Sequence, residues 1–143
     1  MAIILFDGEF PLLGQVPKRR AEVLPEKVSH LFRSARSLQF VCDVRALSGT
    51  SPTLDVAIQA KIEAYWYNLV RFSQYADATG SKVITVKRDF VVAASVEPTG
   101  NPAISTGELL QAQLWSDTLR VSCKVDGTDP VFFFSVTAEP ATW

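Results

Sequence analysis

Two stretches decide the fold: Leu38–Ile58, LQFVCDVRALSGTSPTLDVAI, and Leu119–Val136, LRVSCKVDGTDPVFFFSV. In the first, Leu38, Phe40, Cys42 and Val44 alternate with Gln39, Val41, Asp43 and Arg45. In the second, Leu119, Val121, Cys123 and Val125 alternate with Arg120, Ser122 and Lys124. A period of two is that of a strand with one face buried. Each run is followed by a Gly-Thr-x-Pro sequence, Gly49–Pro52 and Gly127–Pro130, and then by a second alternating run. The runs behind the motif are Leu54, Val56, Ile58 and Phe132, Phe134, Val136. Even the two cysteines correspond.

This internal repeat predicts two similar antiparallel hairpins. Glycine supplies an unusual φ, and proline interrupts pairing before the next strand. Two hairpins that each bury one face need a layer to bury it against, and the simplest solution is a two-sheet antiparallel β-sandwich. One domain of about eight strands with long cross-connections points to a jelly-roll-like arrangement. The register follows from the repeat. Leu54, Val56, Ile58, Phe132, Phe134 and Val136 point inward, with Cys42 and Cys123 as small buried hydrophobes. Phe133 occupies the place of Asp55 and points outward, where either the N-terminal segment or another chain would cover it.

Further along the chain, Val28, His30 and Phe32 also alternate, and a strand is expected there. Tyr65-Trp66-Tyr67 and Leu69–Phe72 favour a pleated surface, so strands are preferred over helix between Val56 and Phe72. Ala78–Ser81 reads as a turn into an alternating strand at Lys82–Arg88. Residues 97–107 read as a loop, because two prolines, two glycines and Asn101 do not suit a central strand. Glu108–Leu114 is left open between a short helix and an irregular strand. Residues 1–25 read as an extended N-terminal arm with a short first strand, punctuated by Gly8, Pro11, Gly14, Pro17 and Pro25. Residues 26–138 form the single sandwich domain, and 139–143 a C-terminal tail.

Composition narrows the function classes. The chain has 143 residues, 48% apolar and 20% charged, which is the profile of one globular domain. Fourteen basic against 15 acidic residues leave no basic surplus for nucleic acid. The apolar run at Met1–Phe6 has no basic residue before it, and it reads as neither a signal peptide nor a membrane span. Folding in a cytoplasm, with Cys42 and Cys123 as thiols, is therefore expected.

One histidine, His30, and two cysteines offer no zinc-ligand cluster. There is no G-x-S-x-G elbow, no phosphate-binding loop and no dinucleotide fingerprint. Pairs such as Asp7 with Glu9, or Glu22 with Glu26, lie in turn-rich sequence, where solvated carboxylates are commonplace. No enzymatic activity, metal, cofactor or small-molecule substrate is expected.

The candidates that remain are surfaces. Tyr65 and Tyr67 are placed outward, as a protein contact or a carbohydrate platform, while Trp66, Leu69 and Phe72 are read as core after a bulge. Trp115 is read as buried beside Leu114. Trp143, on a proline-broken tail, either packs back or anchors on a neighbour. Lys18-Arg19-Arg20 is a small basic cluster, either a solvated loop or an arm for an acidic partner.

The run Gly49–Ile58, with Leu119-Arg120-Val121 and the Gly-Thr-x-Pro sequence behind it, resembles small structural proteins encoded in tailed-bacteriophage head gene clusters. A W-x-x-L-x-x-F-like strand between the repeats, here Trp66, Leu69 and Phe72, extends the resemblance over residues 26–137. The long 97–107 loop and the proline-rich N-terminal segment depart from it.

The resemblance implies a jelly-roll cement or decoration protein. Such a protein would be made in the host cytoplasm and located on the capsid exterior of the virion. It would form a homodimer or homotrimer and bind the outside of a shell of major capsid protein, stabilising it against internal DNA pressure. The interface residues expected on this reading are Phe133, Tyr65, Tyr67, Trp143, Lys18, Arg19 and Arg20. Neither nucleic acid nor membrane is expected as a partner. The alternatives are a phage tail or baseplate component and a carbohydrate-binding β-sandwich module.

Overall fold

The computed structural model describes residues 2–12, 20–87, 109–110 and 116–141, with backbone pairing alone for 109–110. Lys18, Arg19, Trp115, Trp143 and the 97–107 loop lie outside the described residues. In chain order the elements are β1 (Ile3–Phe10), β2 (Ala21–Val23), β3 (Lys27–Val28), α1 (His30–Ser34) and β4 (Ser37–Ile62). They continue with β5 (Tyr65–Arg71), β6 (Tyr75–Ala76), β7 (Gly80–Lys87), β8 (Leu109–Leu110) and β9 (Thr118–Ala141). The fold is an all-β sandwich, with one short helix among the described residues.

Two strands organise everything else. β4 and β9 run antiparallel along nearly their whole length, from Ser37 opposite Ala141 to Ala60 opposite Leu119. Before its Gly-Thr-x-Pro sequence, β4 is flanked by β7, and the facing part of β9 is flanked by β1. Beyond the motif, β4 is flanked by β5 and β6, and the facing part of β9 by β2 and β3. The sheet is thereby divided into two halves that share the same two long strands. Leu38, Phe40, Cys42 and Val44 of one half join Leu54, Val56, Ile58 and Ala60 of the other in a single buried cluster. From β9, Leu119, Val121, Cys123 and Val125 join Phe132, Phe134, Val136 and Ala138 there. The inward set read from the repeat is thus the core, and Phe133 points out of it.

The two hairpins are not observed. Each Gly-Thr-x-Pro sequence bends a strand that continues past it, and the two motifs lie against each other with Thr50 opposite Thr128. The corner is built reciprocally. Gly49 adopts φ 106° and Gly127 φ 117°. A Cβ on Gly49 would come within 2.6 Å of the Asp129 carbonyl oxygen, and one on Gly127 within 2.7 Å of that of Ser51. Ser51 and Asp129, the matching third residues, both sit at left-handed φ, 49° and 48°. Pro52 and Pro130 are buried just behind them. The register slips around the motif, between Ser48 and Thr50 and again between Thr50 and Thr53. The glycine and proline therefore do what they do in a turn, interrupting the ladder, but the chain kinks instead of reversing.

Three further expectations need correction. His30 and Phe32 do not lie on a strand. The Ser29 side chain accepts the Leu31 N–H, and this N-cap starts the five-residue helix α1, whose Phe32 is buried at the core edge. The N-terminal segment holds the expected first strand, but over its described part it is not an arm. β1 pairs with β9 from Ile3–Ala138 to Phe10–Phe132, and Leu5 and Phe10 are buried in the core. The bulge at Leu5 lets the Phe6 ring meet Phe134 at 4.8 Å. Finally, residues 139–141 are no tail, because they continue β9 opposite Ser37–Gln39. Their removal would strip part of the central ladder.

Gly80 provides a control for the corner, since it also has a positive φ, 123°, but has nothing within 4 Å of a Cβ. Gly80→Ala should cost about 1–3 kcal/mol of backbone strain alone. Gly49→Ala and Gly127→Ala add a collision with backbone and should cost at least ~2 kcal/mol more than that. Urea denaturation of the three variants measures the difference, and equal losses would refute the corner contact.

Candidate interaction surface

Among the described residues, no element packs over the outer face of the half-sheet β1–β9–β4–β7. Its alternation places Ile4, Asp7 and Glu9 of β1 on that face with Phe133, Ser135, Thr137 and Glu139 of β9. Gln39, Val41 and Asp43 of β4 and Ser81, Val83, Thr85 and Lys87 of β7 complete it. Phe133 is 42% exposed beside Glu9 and Ala46, so β1 lies next to it without covering it.

One transverse row crosses all four strands: Ile4 opposite Thr137, Thr137 opposite Val41, Val41 opposite Val83. Its outer members are 56% and 55% exposed. Ile4, Val41 and Val83 were missed as site residues. The signal was available for Val41 and Val83, because each is an apolar residue at an outward position of an otherwise alternating run.

The other surface candidates lie elsewhere. Tyr65 and Tyr67 pair with Ile62 and Ala60, which places them on the inner side of the opposite half, at its open end. Tyr65 is exposed, whereas Tyr67 packs against the core. Leu69 and Phe72 are core as expected. Trp66 stays partly exposed, with the Arg120 guanidinium 4.0 Å from its ring centroid and Lys61 at 5.9 Å.

Arg20 lies at the corner. Its side chain donates to the Gly127 carbonyl at 2.9 Å, and its own carbonyl accepts from Val125 N–H. A small cleft of about 120 Å³ opens there between Pro11, Arg20, Asp129 and Pro130. Phe133, Tyr65 and Arg20 therefore do not form one site.

The outer face of the other half is polar and buried. Gln59 donates to Asn68 at 3.2 Å and accepts from Arg120 at 2.7 Å, while Gln74 donates to Asp55 at 3.0 Å. Burial holds the Arg120 pKa below the usual arginine value, and Glu26 opposes that shift. Asp55 Oδ1 and Ser122 Oγ have no hydrogen-bond partner among the described residues. Most of these groups act on one another, as buried amides must.

A larger cleft of about 540 Å³ is lined by Arg33, Lys61, Glu63, Ser116 and Asp117. An Arg33–Asp117 ion pair of 3.2 Å lies in its wall. The charges there are mixed, and Arg33 and Asp117 are engaged with each other.

Neither cysteine offers a nucleophile. Burial pushes the Cys42 thiol up to about 12, against a smaller lowering by the Tyr75 hydroxyl, and burial likewise raises Cys123. The Tyr75 hydroxyl donates to the Cys42 carbonyl and is raised by its own burial. His30 is exposed at the start of α1, away from the buried thiols. No group of three or more His, Cys, Asp or Glu side chains gathers among the described residues. Nor is any helix there long and apolar enough to cross a membrane.

Against known proteins, the chain matches no family model, no curated sequence and no solved structure.

Both thiols should resist a water-soluble alkylating reagent at about pH 8 in the native protein and react fully once denaturant unfolds it. Their raised pKa values also set a sign. The stabilisation is complete below the ordinary thiol value of 9.0 and is lost as pH rises from there through about 12. Denaturation midpoints across that range test this contribution, which a Cys42→Ala, Cys123→Ala double variant lacks.

Proposed function

We propose that the chain is a non-enzymatic virion structural protein, a capsid cement or decoration protein that binds the outside of a shell of major capsid protein and stabilises it. The observation that carries this reading is the open outer face of the β1–β9–β4–β7 half, with Phe133 exposed on a strand whose inner side is fully packed. A cement protein needs a stiff body and an exposed apolar contact, and a sandwich threaded by two shared long strands supplies the stiffness. The resemblance of the Gly49–Ile58 and Leu119–Pro130 segments to phage head proteins supports the same reading.

The mechanism is linkage. A protein that binds the assembled shell and not its dispersed subunits shifts the equilibrium toward assembly. Many copies on one lattice add avidity to a modest contact. The carbohydrate alternative draws less support, because Arg120 already occupies a face of the Trp66 ring. A tail or baseplate location uses the same surface and differs in the symmetry of the partner.

The test is co-sedimentation with heads purified from the phage that encodes the chain. Pelleting in fixed ratio to the major capsid protein supports a shell cement, and pelleting with tails alone moves the protein to the tail. Phe133→Asp should weaken pelleting while changing unfolding stability by less than about 1 kcal/mol, since the side chain is on the surface. Wild-type pelleting by this variant would remove Phe133 from the interface.

A further inference from the structure

We infer that Arg120 and Lys61, set around the Trp66 ring, receive an extended acidic segment of a partner protein, with Asp or Glu at two positions one residue apart. The site lies on the other half, away from Phe133, and stands apart from the capsid reading.

Alternation puts these side chains on one surface. Gln59 and Lys61 of β4 lie on the outer face, with Arg120 of β9 opposite Gln59, and with Asn68 and Trp66 of β5 opposite Gln59 and Lys61. Gln59 is fully buried and oriented at both ends of its amide. It donates to Asn68 Oδ1 at 3.2 Å and accepts from Arg120 Nε at 2.7 Å. The guanidinium carbon lies 4.0 Å from the Trp66 ring centroid, and Lys61 Nζ lies 5.9 Å from the same centroid. An arginine held at Nε and against a ring has its Nη edge preorganised for a second partner.

That partner is not supplied internally. Among the described residues, no carboxylate forms an ion pair with Arg120 or Lys61. Burial lowers the Arg120 pKa, as it does for a cation that has lost water without gaining an anion. Glu26 acts on Arg120 only from beyond ion-pair distance, and Glu63 stands on the turn after Lys61; both are exposed. Asp117, in the neighbouring cleft, is paired with Arg33.

These flanking acids select the occupant. A nucleic-acid strand or a polyphosphate would set continuous negative charge against Glu26 and Glu63, and two cations are too few to offset it. Carboxylates delivered singly at the two cations avoid that repulsion. Their spacing is set by the ladder. Arg120 stands opposite Gln59, two residues before Lys61, so the cations are diagonal neighbours with Cα atoms roughly 7–8 Å apart. Side chains two residues apart on an extended chain are separated by about 6.5 Å and point the same way. Such a pair of carboxylates meets both cations, one of them through the arginine fork.

The test uses the full chain and two blocked peptides of equal composition and charge. One is acetyl-Thr-Glu-Thr-Glu-Thr-amide, and the other, acetyl-Thr-Glu-Glu-Thr-Thr-amide, places its carboxylates on opposite sides. NMR follows the Trp66 indole N–H and the Arg120 Nε–H, assigned with Trp66→Phe and Arg120→Lys variants. At low salt the alternating peptide should shift both signals with a dissociation constant on the order of 1 mM. The second peptide should bind at least about threefold more weakly.

Arg120→Gln should weaken the alternating peptide about tenfold, and Lys61→Gln about threefold. Glu26→Gln should strengthen it about twofold by removing a competing charge. Thermal melts separate loss of binding from loss of fold, and Lys61→Gln, at an exposed side chain, carries the test should Arg120→Gln not fold.

Equal binding of the two peptides overturns the inference, as does unchanged binding by the folded Arg120 and Lys61 variants. No shift of either signal at about 20 mM peptide overturns it too. Tighter binding of tripolyphosphate than of the alternating peptide overturns it in favour of a polyanion. No heads take part, so failure here leaves the capsid reading standing, and failure to pellet with heads leaves this site standing.

Discussion

The close approach of two backbones at the corner constrains the rest of the structure. Gly49 lies against the carbonyls of Thr128 and Asp129, and Gly127 against those of Thr50 and Ser51. Side chains at either glycine would hold the strands apart and prevent the bend. With the bend in place, each long strand contributes one inner face to both halves, and a single alternating sequence lines both walls of the core. Phe40 and Ile58, on the same strand, meet in one cluster because the strand has turned between them. The flanking strands then add to ladders that β4 and β9 have already set.

Much of this was legible in the sequence, and the limits have a physical origin. Alternation assigned the inward residues correctly in both repeats, because parity along a strand survives whatever the strand does next. It could not distinguish a reversal from a kink. Gly-Thr-x-Pro has the same local chemistry in both, and what separates them is the pairing of Thr50 with Thr128, a contact between residues far apart in the chain. The short helix at His30–Ser34 was hidden for another reason. Five residues are too few to display a helical period, and Ser29 as its cap was the only local signal. At the surface, Phe133 was legible from the repeat, whereas Ile4 was not. The bulge at Leu5 changes the phase of β1, and nothing in the local pattern announces it.

The repeat is most instructive where it breaks down. Asp55 and Phe133 occupy matching places on the outer faces of the two halves, yet the first is buried among hydrogen-bonding side chains and the second is exposed. The inner faces had to remain alike, since both pack into one core. The outer faces were free to diverge, one becoming a sealed polar layer and the other carrying Phe133 exposed among polar neighbours. Different chemistries on a duplicated frame are what a protein needs if one side holds itself together and the other holds something else.

The paired length of β4 and β9 has a mechanical consequence. Twenty residue pairs join these strands across the corner. A pull along the strand direction loads those rungs together in shear, whereas a pull across an edge would open them one at a time. Because the same two strands floor both halves, no flexible connection separates them. A displacement imposed on one half is carried to the other as by a lever, and the body tilts as a unit where a jointed protein would fold.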